Sequence, residues 1–315
     1  MEWPQTLLRV ENLSKFFQIN KKICKANNNI NLSIFARETL SIIGESGSGK
    51  STLGKLIIQL QKAQEGKIIY YQNLKNALEL NQLNKKEVKV LRQDLQIIFQ
   101  NSFSALNPKF KIKDIIGEGL IIHKKVKNYK DPSYEEQISD IMSKCGLHLD
   151  LMKRFPHELS GGQRQRVNIA KTLILKPKFV ICDEIVSALD VTMQKQILDL
   201  LNDLKNKYDI TYLFISHDLG VAHYISDRIG VMYEGHLVEL APKEKIFSNP
   251  LHPYTKKLLN AIPRIDSYSF NINLNDKMFT NNHITFGTSS ENLNFYEYTP
   301  GHFVLCTLEN NKEIK

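Results

Sequence analysis

Gly44-Glu45-Ser46-Gly47-Ser48-Gly49-Lys50-Ser51 fits the pattern G-x-x-x-x-G-K-[ST], a loop that cradles phosphate. Its backbone N–H groups can wrap an anion, Lys50 can neutralise it, and the Ser51 hydroxyl can reach Mg2+. A second glycine-rich turn, Leu159-Ser160-Gly161-Gly162-Gln163, lies far downstream. Glycines there admit close backbone approach, and a helix over 163–175 opened by Gly162 would aim its N-terminus at an anion. Asp183-Glu184 follows the apolar run Phe179-Val180-Ile181-Cys182. An aspartate at a strand end can hold Mg2+, usually through water, and the adjacent glutamate can polarise an attacking water. The same pair could instead cap the next helix; the upstream phosphate loop weighs against that reading.

The elements around these residues must present them. Residues 39–43 read as a short buried strand entering the loop, and Leu53, Leu56, Ile57 and Leu60 mark the stripe of an amphipathic helix leaving it. Strands are also expected at 7–13, 30–35, 66–71 and 95–99, with a polar turn at Asn27-Asn28-Asn29 before the second. From 112 to 159 the pattern changes to helix-length segments, including 134–145, a candidate subdomain inserted into an α/β core. The apolar run at 179–182 has the character of a parallel strand buried on both faces. A helix over 194–207 leads to a similar strand at 211–215. Residues 229–233 and 236–239 form a hairpin about Glu234-Gly235, and a short helix follows at 254–261. The stretch 266–315 is rich in Asn, Ser and Thr and weakly patterned, as in a small appendage or a partly disordered end.

The chain has 315 residues, enough for one large domain or two smaller ones with a real core. Cys24, Cys145, Cys182 and Cys306 form no C-x-x-C pair, which points to a reducing compartment and no zinc site. Cys182 reads as a small core residue. The first nine residues lack an apolar h-region, so no signal peptide is expected, and no apolar run reaches 18 residues. The formal charge of +9 fits a solvated lysine-rich surface; attraction to an anionic membrane face comes second and nucleic acid third.

The phosphate loop, the turn at 159–163, the strand ending in Asp183-Glu184, Ser187-Ala188-Leu189-Asp190 and His217 occur in the order of an ABC transporter ATPase, which the chain resembles over residues 7–250. Ile98-Phe99-Gln100, Leu106-Asn107-Pro108, Ser216-His217-Asp218-Leu219 and Asn249-Pro250-Leu251-His252-Pro253-Tyr254-Thr255 resemble the oligopeptide/dipeptide/nickel importer branch, and within it the second of two ATPase subunits. The resemblance implies an α/β fold: a RecA-like P-loop NTPase core, an antiparallel β subdomain, an α-helical subdomain inserted at about 103–162, and a short C-terminal extension. The ATPase domain would span 1–250 and the extension 251–315.

The same resemblance implies roles. ATP would be held by residues 44–51 with Thr52, with Lys50 on the β- and γ-phosphates, and Mg2+ by Ser51, Gln100 and Asp183. Glu184 would be the general base, and His217 would touch the γ-phosphate and orient the attacking water. Phe17, or the adjacent Phe16, would stack on adenine. Ser160, Gly161, Gly162 and Gln163 would face the nucleotide of the opposite subunit, so that ATP bridges two chains and its hydrolysis reopens them. Residues 100–108 would transmit the motion to a short cytoplasmic helix of the permease. The implied partners are two transmembrane permeases, a second ATPase in a heterodimer or homodimer and, indirectly, a periplasmic solute-binding protein, at the cytoplasmic face of the bacterial inner membrane. No nucleic-acid partner is expected.

Ile185 stands where the family has proline, and Asn101 where it has aspartate; neither removes a catalytic group, so activity should survive. Many members carry a Cys-rich metal-binding tail, whereas this stretch retains only Cys306, and no cluster is expected. The resemblance favours import of peptides, with nickel or another solute as the alternative cargo. A soluble ABC ATPase of DNA repair would carry a long coiled-coil insertion, and one of translation two cassettes; neither is present here.

Overall fold

The computed structural model describes residues 5–19, 21–73, 76–100, 105–261, 282–286 and 293–310. The chain divides into two compact units, residues 1–81 with 215–315, and residues 82–214.

The first unit opens with β1 (Thr6–Ile19) and β2 (Lys22–Phe35), a long antiparallel pair. β3 (Thr39–Ile43), buried at every position, leads through the phosphate loop into α1 (Lys50–Ile57). β4 (Glu65–Asn73) and β5 (Asn76–Glu79) complete an antiparallel sheet of order β2-β1-β4-β5. Its buried positions recur every second residue, as at Ile30, Leu32 and Ile34 or Ile68 and Tyr70, which is the pleat of a one-sided sheet. The turn expected at Asn27-Asn28-Asn29 is not a turn: β2 runs through it. Asn29 adopts φ 52°, which asparagine tolerates, and the β1–β2 register slips there. The result is a bulge within the strand. Leu53, Leu56 and Ile57 are buried on α1, but the stripe stops there. Gln59 turns left-handed at φ 57° and leaves Leu60 45% exposed.

The second unit holds α2 (Lys85–Asp94), β6 (Leu95–Ile98), α3 (Ile112–Ile122), α4 (Pro132–Lys144), α5 (Gly161–Leu173), β7 (Phe179–Asp183), α6 (Val191–Tyr208) and most of β8 (Thr211–Ser216). α4 starts earlier than the apolar pattern predicts because Asp131 caps it and Pro132 occupies its first position. α5 likewise starts at Gly161, capped by Ser160, and ends at Leu173. Gly117 of α3 allows Tyr134 of α4 to pack fully buried, since a Cβ there would sit 2.4 Å from the tyrosine ring. β6 and β7 pair in parallel, Leu95 opposite Phe179 and Ile98 opposite Cys182. All five positions of β7 are buried, as the unbroken apolar run predicts. Cys182 is completely buried, and burial raises its thiol pKa.

β8 carries the chain back to the first unit, which continues with α7 (Leu219–Ile225), β9 (Arg228–Tyr233), β10 (His236–Pro242), α8 (Lys243–Ser248), α9 (Pro253–Asn260), β11 (Asn282–Thr285), β12 (Asn294–Thr299) and β13 (His302–Asn310). β3 pairs in parallel with β9, and β9 and β10 form the expected hairpin, with Glu234 and Gly235 both at positive φ. The described residues of the tail form strands that its weak pattern does not report: β13 pairs antiparallel with β10, β11 and β12. Cys306 is buried on β13, and burial pushes its thiol up to about 11. No helix among the described residues is long and apolar enough to cross a membrane.

Candidate functional site

The phosphate loop curls about its own lysine. Lys50 Nζ donates to the carbonyls of Gly44 and Glu45 at 2.8 Å each and lies 3.4 Å from Ser48 Oγ. Gly49 precedes α1 at φ 102°, and a Cβ there would lie 1.9 Å from the Ala26 carbonyl oxygen. Only glycine fits both the conformation and the space. The first turn of α1 carries no acidic residue of its own, which suits a helix N-terminus that is to receive an anion. A loop of this shape, with Gly47 at φ 84° and a buried ammonium, suits a polyphosphate.

Three contacts from the same unit hold the loop, and the sequence did not single them out. Asn27, fully buried in the β2 bulge, points Nδ2 at the Gly49 carbonyl, 3.3 Å away. Gly235 N–H donates to the Ser48 carbonyl at 3.2 Å, and Asn28 N–H donates to the Gly235 carbonyl at 2.8 Å. Glu45 N–H donates to the Tyr254 hydroxyl at 3.0 Å. The signal available for Asn27 was a polar triplet inside a β-forming stretch; it reads equally as a turn until its partners are known.

In the second unit, Asp183 ends β7 and is 6% exposed, with Glu184 half-buried beside it. Glu184 has φ 49°, a sparsely populated conformation for a non-glycine residue and one that gathers at functional sites. Its Oε2 accepts a hydrogen bond from Gln100 Nε2 at 2.8 Å, so the structure brings these two predicted residues together. Ile185 is buried and packs as a core residue. Asn101 lies outside the described residues.

The turn at 159–163 is a helix cap. Ser160 Oγ accepts Gln163 N–H at 3.3 Å, and Gln163 Oε1 accepts Ser160 N–H at 3.0 Å, a reciprocal capping box. Gly162 packs closely against Met193, whose Sδ would lie 2.4 Å from a Cβ at that position and would have to move aside for any larger residue. Ser160 remains exposed, with its hydroxyl proton available to an anion. His217, just after β8, is exposed, and the following Asp218 caps α7. Phe16 and Phe17 are both half-buried on β1. Lys15 Nζ sits 5.1 Å from the Phe17 ring centroid, while the Phe16 backbone is held by Gln64.

A model of the ABC transporter family matches residues 27–187, and one described as the oligopeptide/dipeptide transporter C-terminal region matches residues 238–277. The oligopeptide transport ATP-binding protein OppF of Bacillus subtilis is 42% identical over 303 residues, 96% of this chain and 97% of the relative. The dipeptide transport ATP-binding protein DppF of Lactococcus lactis is 39% identical over 314 residues, 98% and 96% of the two chains. Among solved structures, a dimeric ATP-binding cassette in a post-hydrolysis state with ADP and phosphate matches with a TM-score of 0.67 at 28% identity. That match covers 75% of this chain and 99% of the other. The cbiO1 protein of Clostridium perfringens, part of an ABC transporter complex, matches with a TM-score of 0.65 at 26% identity, over 77% and 91% of the two chains.

Proposed function

The chain belongs to the ABC transporter family of ATP-binding proteins, and from that premise we propose that it is the ATP-hydrolysing subunit of a bacterial peptide importer. The end-to-end likeness to oligopeptide and dipeptide transport proteins, tail included, supports the peptide cargo. The observation that carries the hydrolytic role is the Gln100 amide held at 2.8 Å on the Glu184 carboxylate.

In this reading residues 44–52 hold the ATP phosphates through backbone N–H groups and the Lys50 ammonium, and Phe17 stacks on the base. Ser51, Gln100 and Asp183 offer the oxygen donors that Mg2+ prefers, and the ion would spread the phosphate charge. Glu184 takes the proton of the attacking water, oriented by Gln100, and His217 fixes that water against the γ-phosphate. Ser160, Gly161, Gly162 and Gln163 serve the nucleotide held by the second ATPase subunit. Such a subunit sits peripherally at the cytoplasmic face of the inner membrane, under two permeases supplied by a periplasmic binding protein.

Within the second unit, a groove of about 510 Å3 is lined by Ile97, Phe99, Glu118, Ile122, His123 and Lys171. Phe99 and Ile122 are exposed there, and the groove is the proposed seat of the permease's cytoplasmic helix. Affinity capture from the native membrane tests the reading: two permeases and a second ATPase are expected, with ATP-dependent peptide uptake on reconstitution. Recovery mainly with ribosomes or DNA would overturn it.

A further inference from the structure

One support of the phosphate loop comes from the C-terminal segment, more than 200 residues along the chain (separation 209). Tyr254, in the first turn of α9, is 6% exposed, and its hydroxyl accepts the Glu45 N–H at 3.0 Å. Its ring lies 4.1 Å from that of Tyr233, centroid to centroid, at a tilt of 31°. It shares a buried cluster with Ile43, the last residue of β3 before the loop. Lys50 Nζ bonds the Glu45 carbonyl, so the peptide groups on both sides of Glu45 are pinned, one by the lysine and one by the tyrosine.

Tyr254 is seated by a buried carboxylate. Glu239, on β10 and fully buried, accepts the N–H groups of Leu251 at 2.9 Å and His252 at 3.0 Å. Its Oε1 also lies 2.8 Å from Nε2 of His302 on β13. His252 Nδ1 then accepts the Tyr254 N–H at 3.1 Å and caps α9. Burial holds the His252 imidazole neutral, down to about 4, as an accepting Nδ1 requires. The contacts thus run from the C-terminal strand through Glu239, His252 and Tyr254 to Glu45, all within one unit.

We propose that Tyr254 is a positioning residue of the phosphate loop, through which the C-terminal segment pre-organises the loop for nucleotide. The proposal rests on the reading of residues 44–51 as the ATP loop. A loop fixed beforehand in its anion-binding curve spends less conformational entropy when the phosphates arrive. The bond to Glu45 N–H holds the loop entry and persists when Lys50 turns its donors to phosphate.

The test is Tyr254→Phe, which keeps the ring and removes the acceptor, measured as ATPase activity of the assembled transporter against ATP concentration. Loss of one neutral hydrogen bond corresponds to about a fivefold rise in KM, with kcat within about twofold of wild type. A merely structural role would lower the melting temperature and leave KM unchanged, and that result overturns the proposal. The companion variant Glu45→Pro removes the donor. Against that background Tyr254→Phe should add nothing to the dissociation constant of a fluorescent ATP analogue, and an equal rise in both backgrounds also overturns the proposal. Where the proline variant binds no analogue, Tyr254→Phe alone decides. Lys50→Ala separates the two levels: wild-type binding by it refutes the ATP-loop reading, whereas its failure beside an unaffected Tyr254→Phe refutes only the role of Tyr254.

Discussion

Replacing Glu184 by glutamine isolates the chemical step. Glutamine has nearly the same shape, and its carbonyl oxygen can still accept the Gln100 Nε2 that now lies 2.8 Å from Glu184 Oε2. The exchange turns a charge-assisted hydrogen bond into a neutral one at a half-buried site, a loss of about 1 kcal/mol. The backbone conformation at φ 49° is strained for either residue, so that cost cancels. Basicity is what disappears. A positioned general base contributes about 100- to 10,000-fold, so turnover should fall by that factor, about 3–5 kcal/mol in the barrier. Binding should survive, because the phosphate loop is untouched, and the unhydrolysed ATP should hold this chain to the second ATPase. The assay is phosphate release by the assembled complex, followed by chromatography with retained nucleotide scored in the dimer peak. Gln100→Ala is the contrast, since it leaves the base in place but removes its amide donor and a proposed Mg2+ ligand; its loss of turnover should be partly restored by raising Mg2+, which should not rescue Glu184→Gln. Phosphate release by Glu184→Gln within about threefold of wild type would refute the base assignment.

Gly49→Ala should weaken nucleotide binding by at least about tenfold, since left-handed strain alone costs about 1–2 kcal/mol and the new methyl meets the Ala26 carbonyl. Unchanged affinity in a nucleotide titration would remove the case for a tight cradle. Glu239→Ala should lower stability in urea unfolding by about 3 kcal/mol or more, because three donors lose a buried acceptor. A change below about 1 kcal/mol would show that water replaces the carboxylate. Burial sets the His252 pKa at about 4, below the ordinary imidazole value of about 6.5. As pH falls between those values, the unfolded chain takes up a proton that the fold refuses, so stability should drop by up to about 1.4 kcal/mol per pH unit and level off below. Above about pH 6.5 this residue contributes no pH dependence, and His252→Asn should flatten the acid limb; an identical acid limb in that variant counts against the buried neutral imidazole.

The residues proposed to act on phosphate are legible because their chemistry is contiguous. Residues 44–51 must form one turn to work as a loop, and β7 must be apolar throughout because both of its faces are covered. The helices at 134–145, 163–175 and 194–207 were legible in their interiors but not at their starts. Asp131, Ser160 and Asp190 begin them earlier by capping, which an apolar stripe does not report. The strands of the tail were missed for another reason. β13 gains its place by pairing with β10 and by the contact of His302 with Glu239, and neither partner is near in sequence.

The sequence by itself therefore determined the kind of machine: a phosphate loop, an acidic strand end and a signature turn, each written in adjacent residues. Tertiary structure alone decided how that loop is held. An asparagine triplet became a bulge that ties Gly49, a hairpin glycine bonds Ser48, and a tyrosine from the C-terminal segment holds Glu45. Each of these is a single polar bond across a long separation. Any backbone N–H can pair with any acceptor, so only the packed fold selects the partner.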